Sequence, residues 1–273
     1  MSPLLLCPAN LEAYLHDLPV AAAVLPRLQL LLLSDDTDVS EVVELVRFDP
    51  SLATRVMHAA GSAYYGRACD ITSLEDAISL LGLRESYRVT AAFAMSRFLN
   101  TTLRVYGLGP AEYWRRSLAC ALIMEQQAPA HGLDECVAYT AGLLHALGMI
   151  LVDRHLRTVG DPGMLLREMP ASPLPRQETR LIGMNHAQVA AFVLRKWNFG
   201  AEIVVPIEYQ FEPARAPGSP AMPTLLSEAR LLAQEVVRSM PLPGQSRVAE
   251  PGVADCDISG YAAKITALER WLR

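Results

Sequence analysis

The sequence has almost no lysine. Of its 24 basic residues only Lys196 and Lys264 are lysines; the rest are arginines. Any anion contact here is therefore an arginine contact, made by a planar guanidinium with bidentate geometry available. Positive charge is also short overall, since the net charge is −5 at pH 7. Broad binding to nucleic acid needs a basic surface that displaces counterions, so no nucleic-acid partner is expected. Cysteines are scattered: Cys7, Cys69, Cys120, Cys136 and Cys256 form no CxxC pair, and their number is odd. A disulfide framework is not expected, and the pattern suits a reducing cytoplasm. The opening MSPLLLC has no basic n-region and only a short apolar run, so export is not expected. Long uninterrupted apolar runs are missing too. The most apolar stretch, 18–33, contains Pro19, Pro26, Arg27 and Gln29, which excludes it as a bilayer span. No membrane partner is expected.

Several chemical signatures are also missing. There is no Walker loop, dinucleotide fingerprint or nucleophile elbow; Ser62 follows Gly61 but no G-x-S-x-G frames it. Asp35, Asp36 and Asp38 lack the central glycine and closing glutamate of a calcium loop, so they read as a loop and a helix cap. No run alternates as a half-buried strand does.

What is present is apolar and helical. Hydrophobic residues make up 51% of the chain and charged residues 19%, enough to build a sizeable core. Helical periodicity predicts helices at 10–16, 26–33, from Val39, 51–60, 74–81, 85–99, 111–130, 134–155, 176–197, 201–210, 224–239 and 258–272. Asp49-Pro50 opens one of these, Ser73 caps another, and Gly82 ends it. The Pro/Gly/Ala-rich EPARAPGSPAMP, 212–223, reads as a connector, and 240–257 as an exposed loop.

Two stretches carry a resemblance. FDPSLATRVMHAAGSAYYGRACDITSLEDAISLLGL, 48–83, has a DP-x-L helix, a small-Ser-Ala-x-Tyr-Gly turn and an Ile-x-Ser-Leu-x-x-Ala-Ile-x-x-Leu-Gly helix. The residues that carry it are Asp49, Pro50, Leu52, Ser62, Ala63, Tyr65, Gly66, Ile71, Ser73, Leu74, Ala77, Ile78, Leu81 and Gly82. AGLLHALGMILV, 141–152, and NHAQVAAFVLRKWNFGAEIVVPI, 185–207, follow in order. This succession resembles the HDOD domain family, whose AGLLHDIG helix is a relic of the HD phosphohydrolase motif. The resemblance covers about 11–213 and implies an all-α fold, a multi-helix HD-like bundle in two packed helical subdomains. The expected subdomains are 11–99 and a degenerate HD-like block, 111–213. A C-terminal helical extension, 224–273, would pack on the domain.

The resemblance also shows which chemistry has gone. An HD phosphohydrolase holds one or two divalent metals with imidazoles and carboxylates, and the metal activates water and neutralises phosphate oxygens. Where the family commonly shows Trp-x-His-Ser, this chain has Trp114, Arg115, Arg116 and Ser117. Arg116 thus stands at the first ligand position as a permanent cation, which repels a metal. His145 is kept, but Ala146 replaces the aspartate. His186 fits the next histidine, and a later histidine pair is replaced within Tyr209, Gln210 and Phe211. Two neutral imidazoles without a carboxylate do not make a hard-metal site. The relic cavity is expected to gather Arg116, His145, Ala146, His186, Tyr209 and Gln210, with no catalytic residue, no metal and no cofactor.

Structural roles stand beside these. His145 reads as a buried histidine bonded to a neighbouring helix. His186 reads as a structural hydrogen-bond donor near mid-helix, and Arg116 as exposed or paired with Asp153 or Glu125. Tyr64, Tyr65 and Gly66 read as a packing turn. The functional expectation is a cytoplasmic, bacterial, non-catalytic signalling module. It would act on protein partners such as signalling enzymes or kinases, in cyclic-di-GMP or two-component pathways, with a homodimer allowed. The alternative is a sensor whose relic cavity binds a nucleotide or other anion. A residual metal-dependent phosphohydrolase is the reading these residues disfavour most.

Overall fold

A computed structural model describes residues 5–15, 24–32, 38–62, 71–159, 174–240 and 258–272. All regular elements among them are helical, apart from one isolated antiparallel bridge between Leu103 and Leu108. The all-α expectation holds. The helices are α1 (Pro8–Leu15), α2 (Val24–Leu32), α3 (Val39–Arg47), α4 (Pro50–Ala60) and α5 (Leu74–Leu99). They continue with α6 (Pro110–Gln127), α7 (Glu135–Leu144), α8 (Gly148–Val159), α9 (Leu174–Ile182) and α10 (His186–Lys196). The last are α11 (Ala201–Glu208), α12 (Ala221–Ser239) and α13 (Ile258–Leu272).

The chain divides into two compact units. One comprises 1–19 and 98–238; the other comprises 20–97 and 239–273. In this division α1 and α12 group with the second half of the chain and α13 with the first. The physical reason lies in which faces meet: α1 lies on α10, and α13 on α4. The turn at 64–66 and the loop at 241–257 fall outside the described residues.

In the unit of α2 to α5, local signals act as expected. The Asp38 carboxylate accepts from Ser40 N at 3.2 Å, and Asp49 accepts from Ser51 N and Leu52 N at 2.9 and 3.2 Å. Each satisfies amides that a helix start leaves open. Val42, Val43 and Val46 of α3 are buried, as their spacing predicts. The Ser73 hydroxyl accepts from Asp76 N at 3.0 Å. Gly82 ends the first helical run as predicted: its φ of 75° and ψ of 163° lie outside helical space, in a region that glycine enters without steric penalty, and a second run follows from this kink to Leu99.

The unit of α6 to α12 is built on close backbone contacts. α6 and α7 pack extensively, as do α8 and α10. Gly142 and Gly148 permit this. A Cβ on Gly142 would lie 2.7 Å from Ala121 Cα, and one on Gly148 would lie 1.9 Å from His186 O. The two glycines of AGLLHALG are therefore fixed by helix-to-helix approach. The stretch Glu135–Val159 is long and apolar enough to cross a membrane, with mean hydropathy 1.6, but 89% of its most apolar window is buried within the protein.

Candidate functional site

Two predicted long helices are broken, and both breaks build the site. The helix predicted at 134–155 divides at 145–147 into α7 and α8. There the chain tightens into three-residue turns, with Leu147 N donating to Leu144 O and Met149 N to Ala146 O, both at 3.0 Å. Tightening changes which carbonyls have partners, and buried carbonyls need them. Gln210 Nε2 donates to His145 O at 3.0 Å, and Tyr113 Oη donates to Ala146 O at 2.9 Å. Gln210 and Tyr113 thus hold the break in place. The helix predicted at 176–197 divides between Ile182 and His186, so His186 is the first residue of α10 and not mid-helix. Asn185 caps it in a reciprocal box with Gln188, at 3.0 and 2.9 Å.

His145 is buried, with Nδ1 2.7 Å from Gly142 O of its own helix, not a neighbouring one. Burial pulls its pKa down to about 4; the Gly142 bond opposes this, while nearby His186, Arg230 and Arg116 add to it. It is a neutral imidazole at physiological pH. His186 is also buried. Its Nδ1 lies 2.8 Å from Glu178 of α9, and its backbone N donates to Glu178 Oε2 at 2.8 Å. Tyr106 Oη donates to Glu178 Oε1 at 2.6 Å. Glu178 is completely buried and joins the loop after α5 to α9 and α10. Desolvation and the adjacent Glu178 charge keep the Tyr106 hydroxyl protonated. Sequence reasoning missed Glu178. Its only signal was a carboxylate in RQETR, on the apolar side of an amphipathic helix eight residues before His186.

Arg116 pairs with Glu112 at 2.5 Å, and not with Asp153 or Glu125. The i, i+4 spacing explains this, because Glu112 lies one turn below on the same face. Asp153 is instead buried and accepts from Val105 N at 2.7 Å, with Arg157 at 3.6 Å. Arg116, His145, Ala146, His186 and Gln210 all line one cavity of about 960 Å³. Tyr209 does not: it caps the C-terminus of α11 and its side chain is not among the lining residues. Phe211 lines the cavity in its place, with its ring edge-on to His186 at 5.2 Å. Three further arginines that the sequence did not single out, Arg176, Arg180 and Arg230, also line it.

The donors present do not fit the divalent metal of an HD phosphohydrolase. Holding Nδ1 in the fold leaves each imidazole an open Nε2, but both Glu178 oxygens already accept hydrogen bonds and Ala146 offers no side-chain ligand atom, so no carboxylate joins the two imidazoles. Among the described residues no three His, Cys, Asp or Glu side chains are grouped to hold a metal. A hard cation requires carboxylates that this cavity replaces with guanidiniums.

The HDOD domain family model matches residues 18–213. A crystal structure of a protein from Shewanella amazonensis SB2B, provisionally named a phosphohydrolase, is 22% identical with a TM-score of 0.69; the match covers 97% of this chain and 98% of that one. A protein from Marinobacter aquaeolei VT8, provisionally named for signal transduction, is 23% identical with a TM-score of 0.67, covering 97% of this chain and 60% of that one. At these identities the likeness is one of fold. An uncharacterized protein of Treponema pallidum (strain Nichols) is 23% identical over 216 residues, 77% of this chain. The chain spans 40% of that relative's length.

Proposed function

The chain belongs to the HDOD domain family, and from that premise we propose that it is a non-catalytic regulatory module acting through protein partners. The observation that carries this reading is the replacement at the HD position. Ala146 presents only a backbone carbonyl, taken by Tyr113, and Arg116 stands in an ion pair with Glu112 where an imidazole would be needed. Metal-assisted phosphate hydrolysis requires a bound water of lowered pKa, and that requires ligands. What has been kept is everything that shapes the fold: the close-packed Gly142 and Gly148, the capped α10 and the buried Glu178 hub. Retained architecture with substituted chemistry suits a domain that presents surfaces to signalling enzymes or kinases. The cytoplasmic location expected from cysteine usage belongs to the same proposal.

The test has two arms. Purified chain is assayed for phosphate release from mononucleotides and cyclic dinucleotides with Mn²⁺, Fe²⁺ or Mg²⁺. Tagged chain is recovered from its native host, with an Arg116→Ala/His145→Ala variant in parallel. No metal-dependent release, together with stoichiometric recovery of one signalling enzyme, is the expected result. Saturable metal-dependent turnover would overturn the non-catalytic reading, and absence of any specific protein would overturn the partner reading.

A further inference from the structure

Arg230 on α12 has no carboxylate partner among the described residues. Its guanidinium lies over the Phe211 ring, 4.6 Å from the centroid. Its Nε is buried and makes no hydrogen bond, and burial pulls its pKa below the ordinary arginine value. Arg230 is half-buried, and a partly desolvated cation without a counter-charge is unfavourable, which an aromatic face offsets only in part. Arg230 does not stand alone. Arg116, whose Nε is also buried and unpartnered, lines the same cavity, and Arg176 and Arg180 of α9 line it further out. Arg116 keeps its ion pair with Glu112, which lies outside the lining; within the lining four guanidiniums meet one carboxylate, Glu212, itself paired with Arg215 at 2.6 Å. This concentration of positive charge occurs in a chain of net charge −5.

We propose that this cavity is a metal-free site for an organic phosphate, with guanidiniums holding the phosphate groups where an HD enzyme would use metal. The inference rests on the reading that the cavity binds without hydrolysing. Guanidinium groups match phosphate oxygens in paired, charge-assisted hydrogen bonds. His145 and His186 each have Nδ1 occupied, so Nε2 is the remaining polar atom that either can turn to a ligand. The amides of Asn185 and Gln188 also line the cavity. Leu108, Met149, Leu174 and Leu231 supply an apolar wall, which suits a ligand carrying an uncharged body beside its phosphates. The volume of about 960 Å³ is at the upper end of the usual range for small-molecule sites, about 300–1,000 Å³. A nucleoside polyphosphate has the required size and chemistry.

The experiment is isothermal titration of the full chain with ATP, with pyrophosphate and with adenosine, in EDTA. The same samples are assayed for phosphate release after Mn²⁺ is restored. Arg230→Gln and Arg116→Gln are titrated beside Arg238→Gln, a surface control, after circular dichroism shows each to be folded. Saturable one-site binding of ATP in EDTA, undetectable binding of adenosine, and at least tenfold weakening in Arg230→Gln are expected. Arg116→Gln covers the case in which Arg230→Gln does not fold, and the same weakening is expected of it. No saturable binding of ATP or pyrophosphate at millimolar concentration would overturn the inference while leaving the partner reading intact. Affinity unchanged in both cavity variants would also overturn it. Phosphate release on adding Mn²⁺ would instead overturn the non-catalytic reading.

Discussion

Gly148→Ala is the perturbation that most severely tests the geometry around the cavity. An ideal Cβ at this position lies 1.9 Å from His186 O, 2.7 Å from Ala190 N and 2.9 Å from His186 C. All three are backbone atoms of α10, so no side-chain rotation relieves the overlap. Either α8 or the first turn of α10 must move by about 1 Å or more, against an interior packed as densely as an organic crystal. Overpacking of this kind costs about 1–3 kcal/mol, and more where the neighbours are rigid. The better helix propensity of alanine returns at most about 1 kcal/mol. With the cost at the upper end of that range, a net loss of about 2 kcal/mol is expected, which lowers the melting temperature by about 4–8 °C for a unit of this size. Gly107→Ala is the comparison. Its φ is 65°, but nothing lies within 4 Å of the added carbon, so only the left-handed backbone penalty of about 1 kcal/mol applies. Thermal unfolding followed by circular dichroism reads both. A Gly148→Ala midpoint no lower than that of Gly107→Ala would refute the close approach of α8 to α10.

Tyr106→Phe removes a 2.6 Å hydrogen bond to a fully buried carboxylate; such bonds to charged groups contribute about 1.5–3 kcal/mol, and denaturant unfolding should show that loss. His145 links stability to pH. Its folded pKa is about 4, below the ordinary value of about 6.5. The unfolded chain therefore takes up a proton first as pH falls, and stability declines from about pH 6.5 to about pH 4, by roughly 3 kcal/mol in all. His145→Gln should remove that share of the decline, and an unchanged pH profile would contradict the neutral buried imidazole. Asp49→Ala removes the acceptor for Ser51 N and Leu52 N and should lower stability by about 1 kcal/mol; Asp49→Asn, which keeps an oxygen, should lose only a fraction of this.

Helix content and a few of the cavity residues were legible in the sequence, because both rest on local or family-wide patterns. The apolar spacing of Val42, Val43 and Val46 and the caps at Asp38, Asp49 and Ser73 depend on neighbours in the chain. The motif positions of Arg116, His145, Ala146, His186 and Gln210 all fall on the lining of one cavity. The break at 145–147 was not legible, since apolar periodicity runs through it; the break at 183–185 was marked by Gly183 and the Asn185-x-x-Gln188 capping box, a signal that was passed over. What decides the first is tertiary: Tyr113 and Gln210, distant in sequence, donate to the displaced carbonyls of Ala146 and His145. Glu178 was passed over because a charged residue in an amphipathic helix reads as solvated unless its partner is known, and Tyr106 lies 72 residues away. Arg230 was missed for the same reason, as α12 reads as a connector-linked extension until its face is seen at the cavity. Tyr209, at the C-cap of α11, is not among the residues that line the cavity.

The central claim is that this chain keeps the HD architecture without the metal site. The most direct measurement is equilibrium titration of the purified, EDTA-stripped protein with Mn²⁺, followed by electron paramagnetic resonance of the free ion. The account predicts no stoichiometric site, with Mn²⁺ free throughout the micromolar range. One Mn²⁺ bound per chain at micromolar concentration, and lost in His145→Gln, would contradict it.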